Sequence, residues 1–492
     1  MLGPDSVIDI GTLDVGHWTI VSAIPEKVVA LAQAVRTAGG RALLVGGCVR
    51  DLLMAGEPKD WDVEVYGIDP AKLRALLDGF GPVNVVGEAF TVYKLGPDLD
   101  VSLPRRERKS GRGHRAFVIE GDPLMTIEEA ARRRDFTVNA ILEDPLTGDV
   151  IDPFHGREDI DRKLLRAVSV DTFAEDSLRV LRAAQLAARF EFEIEPGTIA
   201  LCRTINLSDL PAERLWGEME KLLVRARRPS IGLHWLRELG VNKQIFPEIN
   251  TLIDVPQDKE WHPEGDVFRH TGLVADRARE LIDDLPRAKR VTVMLAAIAH
   301  DFGKPATTEF LEGRWRSRGH EEAGVAPAKT FLDRLNIHTL DGYDVRAQVL
   351  ALVRDHLKPG EFFKKREEVG DGAFRRLARK CELDLLYRVA KADSLGRNSE
   401  ELPREKWFTS EAQEWFIQRA RELEVEQQPP APLLLGRHLL ELGLTPGPRI
   451  GEIAKAIYEM QLDGRVQTLA DAKALAEKIL SADYADYTDK KA

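Results

Sequence analysis

Residues 43–67, LLVGGCVRDLLMAGEPKDWDVEVYG, set an apolar run, two glycines, a short amphipathic segment and an acid-rich alternating run in that order. No other stretch constrains the chain as much. A buried strand that turns through glycine into a helix and returns as a half-buried strand begins a small layered α/β or α+β unit. Val63 and Val65 alternate with Asp60, Asp62 and Glu64, so the second strand is expected to carry one acidic face. Residues two apart on a strand point the same way, and the carboxylates of Asp60 and Asp62 converge. Paired hard oxygen ligands suit Mg²⁺, which completes its shell with waters and substrate phosphates. Gly46 and Gly47 give a turn without side chains that opens a helix, whose backbone N–H groups are suited to a triphosphate. Alone, a two-glycine turn is more often only a turn, and an acidic pair on a strand more often a solvated face. Glycine turn, helix and acidic strand in this order favour nucleotidyl transfer.

Such chemistry wants a third carboxylate to deprotonate the attacking hydroxyl or to share a second metal. Asp100 in PDLDVSLP is the candidate, because Leu99 and Val101 take the opposite face; Asp98 and Glu64 share its parity and compete. Around this core, residues 26–38 and AKLRALLDGF read as helices, and FTVYKLG, LDVSLP and DFTVNAILED read as strands. From about residue 158 the pattern is helical and stays so, with breaks near Pro211, Pro229, Pro247 and Pro256. The segment EQQPPAPLLLG, residues 426–436, reads as a linker or boundary before a last helical segment.

A chain of 492 residues is too long for one ordinary core, so several domains are expected. Its net charge of −11 argues against nucleic acid as a partner, since phosphate contacts need Lys and Arg. Local charge opposes that average: PRRERKSGRGHR, residues 104–115, is basic and glycine-rich, and Arg132, Arg133 and Arg134 form a second knot. Taken alone, either run is more often a solvated loop. No apolar run is long enough to cross a bilayer, and the start MLGPDSVIDIG lacks the regions of a signal peptide, so a cytoplasmic protein is expected. Cys48, Cys202 and Cys381 are far apart and without CxxC spacing, which argues for plain core thiols.

VGGCVRDLLMAGEPKDWDVEVYG, ARRRDFTVNAIL, IDPFHGREDIDRKLLRAV and FAEDSLRVLRAAQLAARFEF, followed by LPAERLWGEMEKLL and FPEI, together resemble the bacterial class II tRNA nucleotidyltransferases, the CCA-adding enzymes. The likeness runs in unbroken order over roughly residues 30–250, which is far more specific than any one motif. It implies a polymerase-beta-like nucleotidyltransferase head, an α+β unit, followed by all-α neck, HD and tail domains. In that family the acidic pair binds the metals, the RRD segment holds the incoming nucleotide and the EDxxR segment selects the base. By resemblance these roles fall on Asp60 and Asp62, on Arg133, Arg134 and Asp135, and on Glu175, Asp176 and Arg179, with Arg50, Asn139 and Arg182 as further nucleotide contacts. Asp176 and Arg179, three apart, also make chemical sense on one helical face: they offer an acceptor beside a rigid fork of donors. Cytosine and adenine both show an amino donor next to a ring acceptor, and uracil and guanine reverse that order. Such a site accepts CTP and ATP and leaves a buried polar group unpaired with UTP or GTP. In the family, a flexible segment like that around Arg105 to Arg115 helps the switch from adding C to adding A.

A second constellation starts at WHPEGDVFRHT. His270, the pair His300–Asp301 in AAIAHDFGK and Asp393 in AKADSLGR follow the pattern of HD-type phosphohydrolases, and the segment resembles the HD domain attached to many bacterial tRNA nucleotidyltransferases. Mixed imidazole and carboxylate ligands suit a transition metal such as Ni²⁺, Mn²⁺, Co²⁺ or Fe²⁺, with zinc as the remaining alternative. His320 in SRGHEEAG and His356 in VRDHLKP are placed to bind phosphate or a second metal. The domains expected are an unassigned extension over 1–25, the head over 26–157, a neck for nucleotide selection and RNA binding over 158–255, the HD domain over 256–425 and a tRNA-binding tail over 426–492. The expected activity is addition of CMP and AMP from CTP and ATP to the 3′ end of tRNA, with removal of phosphate or opening of a cyclic phosphate at damaged RNA ends in the HD domain. CC-only or A-only addition, a poly(A) polymerase and a non-catalytic RNA-binding protein are the alternatives.

Overall fold

The structure, a computed structural model, describes residues 24–86, 92–109, 117–399 and 401–489. The expected extension up to residue 23 and residues 110–115 of the basic stretch lie outside the described residues. Helix α1 (Glu26–Thr37) buries Val28, Leu31, Ala32 and Val35, a spacing of three and four that makes one apolar stripe. Strand β1 (Arg41–Val45) is buried from Ala42 onward. At Gly46 the chain turns with φ 76° and ψ −130°, a conformation that glycine enters without the strain a Cβ would cause, and α2 (Gly47–Leu53) begins. Strand β2 (Trp61–Tyr66) returns antiparallel to β1, with Leu44 opposite Val63. Its Trp61, Val63 and Val65 are buried while Asp62 is exposed and Glu64 half-buried, so the acidic face is there.

Helix α3 (Pro70–Leu77) starts at Asp69, whose side chain accepts from the N–H groups of Ala71 and Lys72. Strands β3 (Asn84–Val86), β4 (Val92–Lys94) and β5 (Leu99–Ser102) extend the sheet beyond β2. β5 runs parallel to β2, and its register sets Asp62 opposite Asp100. Strands β6 (Arg105–Lys109) and β7 (Phe117–Gly121) pair apart as a hairpin, and α4 (Ile127–Arg132) follows with a full capping box of Thr126 and Glu129. Short strands β8 (Leu142–Glu143) and β9 (Val150–Ile151) complete the sheet, in the order β3-β4-β5-β2-β1-β8-β9.

DFTVNAILED is not one strand. Thr137–Asn139 forms a 3₁₀ turn and only Leu142–Glu143 joins the sheet. Residues 135–145 are buried throughout rather than alternately. The Asp135 carboxylate accepts from the Phe136 N–H at 2.8 Å and the Asn139 amide at 2.9 Å, bending the backbone locally instead of extending it.

The helical run beyond residue 158 is interrupted by strand pairs: Leu164–Leu165 with Glu193–Ile194, Thr308–Leu311 with Arg314–Ser317, and Thr339–Leu340 with Tyr343–Asp344. Pairs this short leave no readable periodicity. Pro229 and Pro247 begin helices, where a missing N–H costs nothing. By packing, a first unit comprises the described residues up to Pro211 with Glu238–Gln244; a second comprises Ala212–Arg237 and those from Ile245 on. The division falls inside the segment read as one neck, because helix Pro229–Glu238 starts against the second unit: Ser230 donates to Asp276 through N–H at 2.8 Å and through Oγ at 2.6 Å. Within the second unit, helix Arg287–Ala299 is buried without a break from Val291 to Ala299 and packs on helices Val267–Glu280, Val345–Asp355 and Leu383–Gly396. Of the 426–436 segment, residues 426–435 are non-helical and Gly436 begins the next helix; the segment is held by Asp384 N–H to Glu426 O at 2.9 Å and Tyr458 Oη to Pro430 O at 2.7 Å. The helices after it enclose a small core of their own, including Leu434, Leu439, Ile453, Ile457 and Val466. No helix among the described residues is long and apolar enough to cross a membrane.

Candidate functional site

In the first unit, the parallel pairing of β2 with β5 brings Asp62 and Asp100 side by side on one face, with exposed Asp60 just ahead of β2. Although Asp62 reaches solvent, desolvation by the protein around its carboxyl raises it above its ordinary range; Asp100 and Asp60 push the same way, and Arg134 and Lys94 oppose them. Three acids that repel one another on one face fit a cation. Lys94 Nζ donates to Asp100 Oδ2 at 3.0 Å. The competing acids are placed differently. Glu64 accepts from Tyr66 Oη at 2.5 Å and lies 3.8 Å from Arg134, and Asp98 sits in the exposed turn before β5, its carbonyl bonded to Trp61 N–H at 2.7 Å.

Arg134 meets the glycine turn. A Cβ on Gly46 would stand 2.7 Å from Arg134 Nη1, so glycine there serves both the backbone and this guanidinium. Asp135, next along, is buried and takes Arg182 Nε at 2.8 Å and Nη2 at 2.7 Å. Burial pushes its carboxyl up, but Arg182, Asn139 and the Phe136 N–H outweigh burial and hold it below the usual range. Asn139 in turn accepts from Arg50 Nη1 at 2.6 Å. Arg50 is buried, bonded also to Asp51 at 2.9 Å and stacked 4.3 Å from the Phe190 ring. Arg50 and Asn139 thus form the buried end of a chain that reaches Arg182 through Asp135.

Glu175 and Asp176 differ from their expected position. Helix Leu178–Phe190 begins after them, and Asp176 accepts from Leu178 N–H at 3.1 Å just ahead of the helix, so it does not share a helical face with Arg179. Asp and Ser at a helix start cap more readily than they continue it. Arg179 donates to the carbonyls of Thr172 at 2.7 Å and Arg133 at 2.6 Å, while Arg133 reaches Glu175 at 3.3 Å. The RRD and EDxxR segments are therefore fastened at three points: Arg133 to Glu175, Arg179 to Arg133, and Asp135 to Arg182.

In the second unit the six residues expected at one centre come together. His270 comes from helix Val267–Glu280, His300 and Asp301 from the end of helix Arg287–Ala299, His320 from a short helix after a hairpin, His356 from the end of Val345–Asp355 and Asp393 from Leu383–Gly396. All six are buried. Nδ1 of His300, His320 and His356 faces a backbone carbonyl three residues earlier, of Ala297, Ser317 and Val353, at 2.7–2.8 Å. Each ring is thereby turned so that Nε2 faces its neighbours. His320 Nε2 lies 3.2 Å from His356 Nε2 and 3.4 Å from Asp301 Oδ1, His300 Nε2 lies 3.2 Å from Asp301 Oδ2, and His270 Nε2 lies 3.1 Å from Asp393 Oδ1. His300 Nε2 and Asp301 Oδ2 are buried without a hydrogen-bond partner of good geometry. Converging imidazoles and carboxylates with such orphaned atoms fit a transition metal.

Three further residues belong to this centre and were not read from the sequence. Glu264 is fully buried, accepts from His262 Nδ1 at 2.9 Å and lies 2.7 Å from His270 Nδ1. Lys304 Nζ lies 2.8 Å from Asp301 Oδ2. The run WHPEGD and the helical spacing of Asp301 to Lys304 in HDFGK were the available signals. Burial pushes His262 down to about 4 and His356 to about 3, leaving both rings neutral near pH 7. Burial opposes the charge on Asp301 and Asp393, yet His300 and Lys304 beside one, and Arg397 and His270 beside the other, hold both well below the carboxylate range.

Residues 42–166 match the Poly A polymerase head domain family, 191–253 the probable RNA and SrmB- binding site of polymerase A, and 267–398 the HD domain. The multifunctional CCA protein of Xylella fastidiosa (strain M23) is 36% identical over 377 residues, 73% of this chain and 85% of that protein. The multifunctional CCA protein of Xanthomonas campestris pv. campestris (strain B100) is 38% identical over 368 residues, 72% and 85% of the two chains. The fold is shared with the Bacillus stearothermophilus CCA-adding enzyme in complex with CTP, at a TM-score of 0.62 and 20% identity, covering 94% of this chain and 98% of that one. It is also shared with the Thermotoga maritima CCA-adding enzyme complexed with tRNA, at a TM-score of 0.56 and 19% identity, covering 92% and 95%.

Proposed function

Because this chain belongs to the multifunctional CCA proteins, bacterial tRNA nucleotidyltransferases that carry an HD domain, we propose that its first unit adds CCA to the 3′ end of tRNA from CTP and ATP and that its second unit removes phosphate from RNA 3′ ends or opens a cyclic phosphate there. The observation that carries the first half is the register of Asp62 with Asp100 beside Asp60, below a glycine turn that Arg134 closes. Asp60 and Asp62 would hold Mg²⁺, which would supply positive charge to the triphosphate as the 3′ hydroxyl bonds to the α-phosphorus and the α–β bond breaks to release pyrophosphate. Asp100, its carboxylate held by Lys94, would take the proton of that hydroxyl. Arg133 and Arg134 bring positive charge to the nucleotide. Arg179 would supply the donor fork, its orientation fixed by the carbonyls of Thr172 and Arg133, and Asp176 would supply the acceptor from the turn ahead of the helix.

In the second unit His270, His300, Asp301 and Asp393 would hold a transition metal, with His320 and His356 positioned for the phosphate or a second ion. Such an ion supplies an activated water at neutral pH. On a 2′,3′-cyclic phosphate the water oxygen bonds to phosphorus as one ester bond breaks, leaving a monoester and a freed hydroxyl. Imidazole-rich and carboxylate-only ligand sets select different metals, so the two activities separate. Asp301→Ala is expected to abolish Ni²⁺- or Mn²⁺-dependent hydrolysis of 2′,3′-cyclic ends and to leave Mg²⁺-dependent nucleotide addition nearly unchanged, with Asp62→Ala doing the reverse. Loss of both activities in either folded variant would contradict two independent sites.

A further inference from the structure

The hairpin of Thr308–Leu311 with Arg314–Ser317 is built into the histidine centre at both ends. Its first strand follows Lys304 directly, with Thr308 Oγ1 donating to Lys304 O at 2.7 Å, and the carbonyl of Ser317 in its second strand holds His320 Nδ1 at 2.7 Å. A Cβ on Gly303 would stand 2.0 Å from the carbonyl oxygen of His320, so the two ends are pressed together. The hairpin cannot shift without moving Asp301 or His320.

Its outer end carries what a protein core normally covers. Register pairs Phe310 with Trp315 on one face, their ring centroids 5.1 Å apart, and the side chains are 59% and 39% exposed. Beside the hairpin, Arg314 reaches Glu260 at 2.7 Å, and the adjacent Trp261 is 52% exposed. Three of the four large aromatic residues exposed among the described residues therefore lie on these two segments. Both segments lead into histidines of the centre, Trp261 into half-buried His262 and Ser317 towards buried His320. The outgoing strand and its extension carry Arg314, Arg316 and Arg318 at alternate positions, on the face opposite Trp315. Arg314 and Arg316 are paired with Glu260 and Glu312 on the exposed surface, pairs that exchange for phosphate at small cost.

An aromatic face with arginines on the reverse of the same thin hairpin suits single-stranded nucleic acid, the rings stacking bases of any sequence and the long guanidinium side chains reaching the backbone at its edge. Resting on the phosphohydrolase reading of the second unit, we infer that Phe310 and Trp315 form a stacking platform for the last unpaired nucleotides of an RNA 3′ end and present its terminal phosphate to the histidine centre. The platform makes the site act on RNA ends in preference to free nucleotides.

The test compares two substrates on the full chain with Ni²⁺: a tRNA ending in a 2′,3′-cyclic phosphate, and 2′,3′-cyclic AMP. For Phe310→Ala/Trp315→Ala, KM for the RNA should rise about tenfold, the scale of one lost base stack, while kcat/KM for the cyclic mononucleotide stays within about twofold. Phe310→Tyr/Trp315→Phe, which keeps the rings, should restore the RNA value. An equal loss on both substrates overturns the inference, because it makes the hairpin only a support for His320. Unchanged RNA kinetics in the alanine variant overturns it as well. A wild-type protein inert toward both substrates instead overturns the phosphohydrolase reading beneath it.

Discussion

Replacing Asp135 with alanine should loosen the joint between the RRD segment and helix Leu178–Phe190. The Asp135 carboxylate takes four hydrogen bonds, from Phe136 N–H, Asn139 Nδ2 and two Arg182 nitrogens, all at 2.7–2.9 Å. Removing one partner of a buried ion pair costs about 3–5 kcal/mol. The Arg182 side chain is 32% exposed, so water takes up part of its lost bonding and the expected cost falls to about 2–3 kcal/mol. In a unit of about 200 residues each kcal/mol moves the thermal midpoint by about 2–4 °C. Calorimetry should therefore show the first unit melting about 4–12 °C lower, with the second unit's transition unmoved. The pH dependence has a definite sign. Arg182 and its companions hold the Asp135 carboxyl below its unfolded value despite burial, so its contribution is complete above the unfolded value near 3.9 and is lost as pH falls through the lower folded value. The stability gap between the parent and Asp135→Asn should be flat from about pH 5 to 8 and close below about pH 4. A midpoint shift under about 2 °C, or a gap that widens toward acid, would refute the reasoning.

Three other substitutions probe separate parts of the account. Gly46→Ala forces a positive φ on a side chain and puts Cβ 2.7 Å from Arg134 Nη1; stability should fall by about 1–3 kcal/mol, while kcat/KM for nucleotide addition falls at least about tenfold, a further ~1.4 kcal/mol. Asp176→Ala should relax the preference for CTP and ATP over UTP and GTP, measured by competition at matched activity, and an unchanged preference would place base selection elsewhere. Glu264→Gln weakens the group that orients His270 through Nδ1; Ni²⁺ affinity by calorimetric titration should drop about 10–100-fold, and unchanged affinity would leave Glu264 a purely structural acid.

The sheet and its acidic face were legible because alternation is local: Trp61, Val63 and Val65 turn inward whatever the rest of the chain does, and Asp62 is carried outward with them. The order of the histidines and aspartates in the second unit was legible for another reason, since each falls on or at the end of an apolar helix and so must be buried with its neighbours. Contacts between distant side chains were not. Nothing in the sequence pairs Arg50 with Asn139, 89 residues away, or Asp135 with Arg182, 47 residues away. The same buried network makes DFTVNAILED look like a strand, because β-branched and aromatic residues also fill a turn that is buried on every side. Asp176 misled in the opposite sense: the spacing to Arg179 suits a helix, but the aspartate stands ahead of the helix it helps to start.

The central claim is template-independent completion of a tRNA end by the first unit. The most direct measurement is incubation of the purified protein and Mg²⁺ with tRNA lacking its last three nucleotides, supplying CTP alone, ATP alone or both, with products resolved at single-nucleotide length. Two added C residues with CTP alone, none with ATP alone and a complete CCA end with both are predicted, all abolished by Asp62→Ala in a protein that still folds. Arrest after two C residues with both nucleotides present, a run of A residues, or full addition by the Asp62→Ala variant would contradict it.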